Sequence, residues 1–190
     1  MADPAHALAA TRREPFDDLP PITVRNRLTI DAGGLASRFV LRGPMATAGT
    51  VLGALGLPAP DGNNRATSEG AWSALRLGPD EWLLIGPDGE GIPAIEPGPY
   101  SLVDVSHRNV GLTVSGALCT DVLSSGVMLD LDIEAFPVDM ATRTLFTKAE
   151  IVLWRRAPDL FHIEVWRSFA VYLRALLAEA AREHAKPDRA

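Results

Sequence analysis

Several polar groups in this 190-residue chain have types and spacings that can do chemistry. Asp104, Ser106 and His107 stand within Val103-Asp104-Val105-Ser106-His107, a polar knot in apolar surroundings. A carboxylate that ends a strand can act as a base or hold an amine, but Asp and Ser oxygens equally cap turns by accepting backbone N–H groups. Capping is the expectation here. Cys119, the single cysteine, would need a base such as His107 or His162 to become a nucleophile. Beside Leu118 at a helix start it reads instead as a small buried hydrophobe. His162 alternates onto one strand face with Glu164 and Trp166, giving a hydrogen-bonded surface pair without the third ligand a metal needs. Asp130, Asp132 and Glu134 alternate with Leu131, Ile133 and Phe136 and lack the glycine and terminal glutamate of a calcium loop, which leaves a solvated turn.

Composition narrows the classes. With 47% hydrophobic and 22% charged residues the chain has the balance of a soluble globular protein with one sizeable core. A net charge of -6 and only 18 Lys and Arg supply no basic stripe for a phosphate backbone, so nucleic acid is not an expected partner. One cysteine permits neither an internal disulfide nor a Cys-based zinc site, which fits a reducing cytoplasm. Met1 to Pro21 lacks the basic and apolar regions of a signal peptide. The longest apolar stretch, Met45 to Leu57, is shorter than the roughly 20 residues a bilayer requires, so no membrane span is expected. Gly49, Gly53 and Gly56 have the wrong spacing for a dinucleotide fingerprint and lie inside a predicted helix, where small residues permit close packing.

The elements that must position these groups follow from periodicity. Residues 1–21 and 186–190 have no period and are expected to be a flexible N-terminal arm and a C-terminal tail flanking one domain over 22–185. Val24, Leu28 and Ile30 share one face of a strand; Phe39 and Leu41 mark a second after the Gly33-Gly34 turn. A helix runs from Pro44 to Gly56-Leu57-Pro58, and 58–70 reads as a loop. Trp72–Leu77 and Glu81–Ile85 form a hairpin around Gly78-Pro79-Asp80, and a Pro- and Gly-rich loop covers 86–99. Strands at 101–105 and 110–115, a helix at 117–125, and strands at 142–147, 150–155 and 160–166 come next. A final helix over 168–184 should bury Phe169, Tyr172, Leu173, Leu176, Leu177 and Ala180 as one stripe.

That order suggests a duplicated α+β unit. Val40-Leu41-Arg42-Gly43 before one helix matches Thr113-Val114-Ser115-Gly116 before the next, and Glu81-Trp82-Leu83-Leu84 is echoed by Glu150-Ile151-Val152-Leu153.

Taken together, Trp72 to Leu84 with its Leu77-Gly78-Pro79-Asp80-Glu81-Trp82 hairpin, Val103 to His107, and Arg167-Ser168-Phe169-Ala170 leading into the Leu-rich helix resemble the gamma-subunit family of heterotetrameric sarcosine oxidases. The resemblance runs over about residues 35–184. More distantly, Asp104 to His107 and Val114-Ser115-Gly116 are similar to elements of glycine-cleavage aminomethyltransferases. That likeness implies an α+β fold of duplicated, interlocked β-α-β subdomains of the folate-binding type. Those relatives carry a Gly-Gly-x-x-Asp-Asp turn after a Leu-Phe-Thr-like strand, whose carboxylate serves folate chemistry. Here Leu145-Phe146-Thr147-Lys148-Ala149 runs directly into Glu150-Ile151-Val152-Leu153.

Without that acid, no group is placed for proton transfer, and Glu150 reads as a solvated strand residue. The resemblance implies a non-catalytic structural subunit, without activity alone, of a cytoplasmic complex that oxidises sarcosine to glycine, in which alpha, beta and delta subunits are the partners. FAD, FMN, NAD, tetrahydrofolate and zinc are expected on those partners. No catalytic, cofactor-binding or metal-binding residue is expected on this chain. The alternative reading is a free-standing folate-binding protein or small aminomethyltransferase. A vestigial folate cleft would be lined by Trp72, Trp82 or Trp166, aromatic strand residues for which core or interface is the expectation.

Overall fold

The structure is a computed structural model that describes residues 12–185. Apolar residues alternate along its strands and place two antiparallel sheets face to face, with helices on the two outer faces. One sheet has the order β1 (Ile22–Val24), β2 (Leu28–Ala32), β8 (Asn109–Ser115), β11 (Leu160–Trp166), β10 (Ala149–Ala157), β9 (Ala141–Phe146). The other has the order β4 (Arg65–Glu69), β5 (Trp72–Gly78), β6 (Glu81–Pro87), β3 (Ala36–Arg42), β7 (Ser101–Asp104). α1 (Met45–Ala54) covers the outer face of the β3-β6 sheet, burying Ala48, Val51 and Leu52 on Leu41, Ala74, Trp82 and Leu84. α2 (Cys119–Ser124) and α3 (Ala170–Ala185) cover the outer face of the β8-β11 sheet, where Val110, Leu112, Ile151, Leu153, Phe161, Ile163 and Val165 are buried. Each such aliphatic side chain contributes about 1.5–3 kcal/mol relative to exposure.

Between the sheets lies a smaller apolar seam of Ala66, Leu75, Leu83, Val105, Ala141, Val152 and Trp154. The backbone also ties the sheets together along one edge, where Ala66 donates to Asp139 at 2.7 Å and Ala141 to Asn64 at 3.1 Å.

The duplication is visible in the pairing. β2-β3-α1-β4-β5-β6 and β7-β8-α2-β9-β10-β11 follow the same course, with sheet orders β4-β5-β6-β3 and β9-β10-β11-β8. The first strand of each unit crosses to the other unit's sheet: β2 pairs with β8, and β7 with β3. This exchange is what interlocks the halves. It makes the likeness of Val40–Gly43 to Thr113–Gly116 a match between equivalent strands. The echo of Glu81–Leu84 in Glu150–Leu153 joins β6 to β10, whose counterparts are β11 and β5, so that similarity is accidental.

Several local expectations change. The single strand through Val24, Leu28 and Ile30 is a hairpin, because Arg25 and Asn26 take positive φ angles of 45° and 59° and Arg27 donates to Val24 at 2.7 Å. Asn tolerates that conformation, but without a neighbouring glycine the turn left no strong signal. Arg65–Glu69, read as loop, is a polar edge strand paired with β5. Gly49 and Gly53 do not mediate close packing: a Cβ at either would meet nothing within 4 Å. The buried stripe of α3 is Ala170, Leu173, Leu177 and Ala181, whereas Phe169 and Tyr172 are exposed. The small alanines let the helix approach the sheet closely. Of the arm expected over 1–21, residues 1–11 lie outside the described residues, as does the tail 186–190. Residues 12–21 pack onto the body, with Phe16 in the larger core cluster.

Candidate functional site

The Asp104–His107 segment is the crossover that carries the chain from β7 in one sheet to β8 in the other. Asp104 Oδ1 accepts from the Ser106 amide at 2.8 Å, and the hydrogen bonds from Ser106 hold the Asp104 carboxyl below the usual carboxylate range. Ser106 Oγ accepts from the Arg38 amide at 2.8 Å, which stitches the crossover to β3. The segment therefore caps a turn, as its residue types suggest. His107 is exposed.

Ser106 thereby fixes the backbone of a residue that sequence reasoning missed. Arg38 alternates away from α1 into the seam, where it is 1% exposed. Its Nε donates to Glu164 Oε2 at 2.6 Å and its Nη1 to the Ala36 carbonyl at 3.1 Å. The other carboxylate oxygen, Glu164 Oε1, accepts from His162 Nε2 at 2.7 Å. Burial alone would push the Glu164 carboxyl up, but the His162 hydrogen bond and the Arg38 charge prevail and hold it below its ordinary value. The pair expected on the surface is thus two members of a buried triad. Gly111 of β8 makes room for it, since a Cβ there would lie 2.9 Å from Arg38 Nη2 and 2.9 Å from His162 Cε1. Arg38 and Glu164 are separated by 126 positions, and the one signal in sequence is a glutamate flanked by the inward-facing Ile163 and Val165; Arg38 stands between Ser37 and Phe39.

Members of the triad line two openings into the seam, Glu164 the larger and Arg38 with His162 the smaller. The larger, about 290 Å³, is lined by Val40, Leu83, Val103, Arg108, Glu150 and Trp166, among others. Its acids are held: Arg143 Nη2 donates to Glu81 Oε1 at 2.5 Å and its Nε lies 3.7 Å from Glu150 Oε1. The smaller, about 230 Å³, is lined by Arg38, His162, Trp154, Arg156, Thr113 and Ser73, among others. Trp166 reaches the larger opening, with Arg108 stacked 5.5 Å over its ring. Trp72 and Trp82 instead pack under α1.

A second buried carboxylate lies at the crossovers. Arg12 donates to the Ser106 carbonyl at 2.6 Å and to the Ala36 carbonyl at 3.0 Å, and pairs with Asp88. This strap brings in Glu14, 3.8 Å from Arg12 and 4.0 Å from Arg167. Among the described residues neither Glu14 oxygen has a hydrogen-bond partner, and burial pushes its carboxyl up despite the cations of Arg38, Arg12 and Arg167.

The remaining candidates are not assembled into a site. Cys119, the first residue of α2, is 2% exposed, on the opposite face of the sheet from His162, and burial pushes its thiol up. Asp130 and Asp132 accept from the amides of Asp132 and Glu134, each at 2.9 Å, so the acidic run is a solvated series of turns. β9 and β10 are joined through Thr147 and Lys148 alone, with Phe146 opposite Ala149. Glu150 is exposed. Among the described residues no three His, Cys, Asp or Glu side chains are grouped to hold a metal, and no helix is long and apolar enough to cross a membrane.

Residues 42–183 match the sarcosine oxidase, gamma subunit family. A sarcosine oxidase subunit gamma from Arthrobacter sp is 31% identical over 137 residues, covering 70% of this chain and 67% of that protein. Its counterpart from Corynebacterium sp. (strain P-1) is 32% identical over 135 residues, covering 68% and 66%. A chain of the heterotetrameric sarcosine oxidase from Corynebacterium sp. U-96, solved in complex with pyrrole 2-carboxylate, superposes with a TM-score of 0.85 at 22% identity, covering 94% of this chain and 99% of that one. Glycine cleavage system aminomethyltransferase T from Bartonella henselae superposes with a TM-score of 0.60 at 15% identity, covering 84% of this chain and 50% of that one. These two likenesses establish the fold.

Proposed function

Because this chain belongs to the sarcosine oxidase gamma subunit family, we propose that it serves as a non-catalytic structural subunit of a heterotetrameric sarcosine oxidase that demethylates sarcosine oxidatively to glycine. The supporting observation is that the buried carboxylate of the seam, Glu164, has both oxygens engaged by Arg38 and His162, and that Glu81 is hydrogen-bonded to Arg143. A general base must lie within hydrogen-bond reach of the proton it abstracts, and these two carboxylates are turned to other donors. The two-residue turn at Thr147-Lys148 leaves no acid where aminomethyltransferases carry theirs.

On this reading, alpha, beta and delta subunits bind the chain in the cytoplasm and carry the FAD, FMN, NAD, tetrahydrofolate and zinc. Residues 22–185 act as one domain, because exchange of β2 and β7 leaves neither pseudo-repeat with a complete sheet of its own. Co-expression of the other subunits with and without this chain tests the role. Loss of assembly on native gel filtration and of folate-dependent trapping of formaldehyde is the expected result; an intact, fully coupled complex without it would overturn the proposal.

The 290 Å³ opening beside Trp166 favours one second reading, a folate-binding protein. Isothermal titration of the full chain with tetrahydrofolate separates the two. Tight binding supports the folate reading, and no heat supports the structural one.

A further inference from the structure

The aromatic side chains of this chain divide sharply by exposure. Trp166, Phe169 and Tyr172 are 44%, 40% and 41% exposed, and every other Phe, Trp and Tyr is buried or half-buried. The three fall together where β11 passes through a single 3-10 turn, Arg167–Phe169, into α3. Because the face of α3 that meets the sheet is Ala170, Leu173, Leu177 and Ala181, Phe169 and Tyr172 are left on its solvent side, their rings 6.4 Å apart and edge to face. Tyr172 Oη lies 3.4 Å from Thr147 Oγ1, which joins the pair to the β9-β10 turn just beyond the exposed Leu145. On the other flank Trp166 lines the larger opening under the Arg108 guanidinium, and the Arg167 amide donates to the Arg108 carbonyl at 2.7 Å. Scattered exposed apolar residues are ordinary. All the exposed aromatics on one surface, beside arginine, is the composition of an interface core.

We propose that Trp166, Phe169, Tyr172 and Leu145 form the surface on which this chain docks another subunit of its assembly, one that presents an apolar pocket edged by carboxylates. The proposal rests on the subunit reading above. Charge selects the partner. Arg108 and Lys148 flank the aromatics and have no ion pair among the described residues, and Glu150 beside them faces Arg143 at 3.7 Å. The surface is therefore short of anions, although the chain as a whole carries a net charge of -6, and complementary potential is what fixes partner and register. A second copy of the chain fits poorly, since a two-fold contact lays the patch on itself and sets Arg108 and Lys148 against their own copies. An anionic membrane would attract the two cations but repel the negative remainder of the chain.

The test measures binding of the full chain to the complex of the other subunits by biolayer interferometry. Phe169→Ala and Tyr172→Ala should each weaken binding by at least about thirtyfold, the loss of a ring at an interface centre. Their urea midpoints should stay at the parent value, because both rings are exposed. Arg108→Gln combined with Lys148→Gln should cost about tenfold at low salt and less at about 1 M, where screening acts over ~3 Å. Met45→Ala, an exposed apolar residue at the start of α1 on the outer face of the other sheet, should bind as the parent does. Parent-like binding by Phe169→Ala and Tyr172→Ala would overturn the docking surface and leave the subunit reading intact, whereas failure of the parent itself to bind would overturn both. Self-association that Phe169→Ala abolishes, or sedimentation with phosphatidylglycerol vesicles, in place of subunit binding would give the patch to a second copy or a membrane and overturn the proposal.

Discussion

Glu164 and Glu14 are both buried carboxylates among arginines, yet their surroundings act on them in opposite directions. Glu164 sits on a central strand, with one oxygen on Arg38 at 2.6 Å and the other on His162 at 2.7 Å. Glu14 sits on the N-terminal strap, with guanidinium groups no closer than 3.8 Å and, among the described residues, no hydrogen bond. Nearby opposite charge is not sufficient to compensate burial; direct hydrogen bonds to both oxygens are. The central strand β11 holds such geometry, and a strap anchored by Phe16 and by arginine-to-carbonyl bonds through Arg12, Arg167 and Arg174 does not.

The comparison can be broken at its stronger member first. Glu164→Gln leaves Arg38 buried without its counter-charge, and the unfolding free energy measured in urea at pH 7 should fall by about 3–5 kcal/mol. A loss below about 1 kcal/mol would mean that the triad is not coupled as the distances imply. Gly111→Ala attacks the same triad from its floor. The added methyl sits 2.9 Å from Arg38 and His162 atoms, and overpacking of this kind should lower stability by about 1–3 kcal/mol, read as a drop in the urea midpoint.

At the weaker member the sign reverses. Glu14→Gln removes a desolvated charge that makes no hydrogen bond, so stability at pH 7 should stay level or rise by up to about 1 kcal/mol. The pH dependence sharpens this. Glu14 has a folded-state value raised above 4.5, so its contribution is fully present below 4.5 and is lost as pH rises through the raised value. The gap between parent and Glu14→Gln should therefore close as pH is lowered from 7 toward 4.5. Glu164 has a folded-state value below 4.5, so its contribution is present above 4.5 and is lost only as pH falls further. The gap between parent and Glu164→Gln should stay open until pH drops below 4.5; both gaps closing over the same pH interval would contradict the assignment. The smallest effect belongs to Arg143→Gln in the larger opening. Its ion pairs are partly solvated, with Arg143 42% and Glu150 52% exposed, and the loss should be under about 1 kcal/mol in thermal unfolding.

Much of the scaffold was legible because its signals are local. The Gly78-Pro79-Asp80 hairpin, the stop at Gly56 and the alternation of Phe161, Ile163 and Val165 each need only a few neighbouring residues to be read. The capping role of Asp104 was legible for the same reason, since an Asx-type turn closes within two residues; the bond from the Arg38 amide to Ser106 spans 68 positions and was not. The edge strand Arg65–Glu69 was not, because its polar residues face solvent and only pairing with β5 makes it a strand. Nor was the strap: Phe16 is one apolar residue in a charged segment, and its burial depends on a surface built elsewhere in the chain.

By itself the sequence determined the order of the elements other than β1 and β4, the duplicated plan and the family, since periodicity, turn residues and motif order are carried along the chain. The tertiary structure alone decided that Arg38 meets Glu164 and His162 and that Glu14 is buried. Those relations depend on which strand crosses to which sheet. Exchanging β2 and β7 between the two halves brings together residues more than a hundred positions apart, and no local pattern encodes that contact.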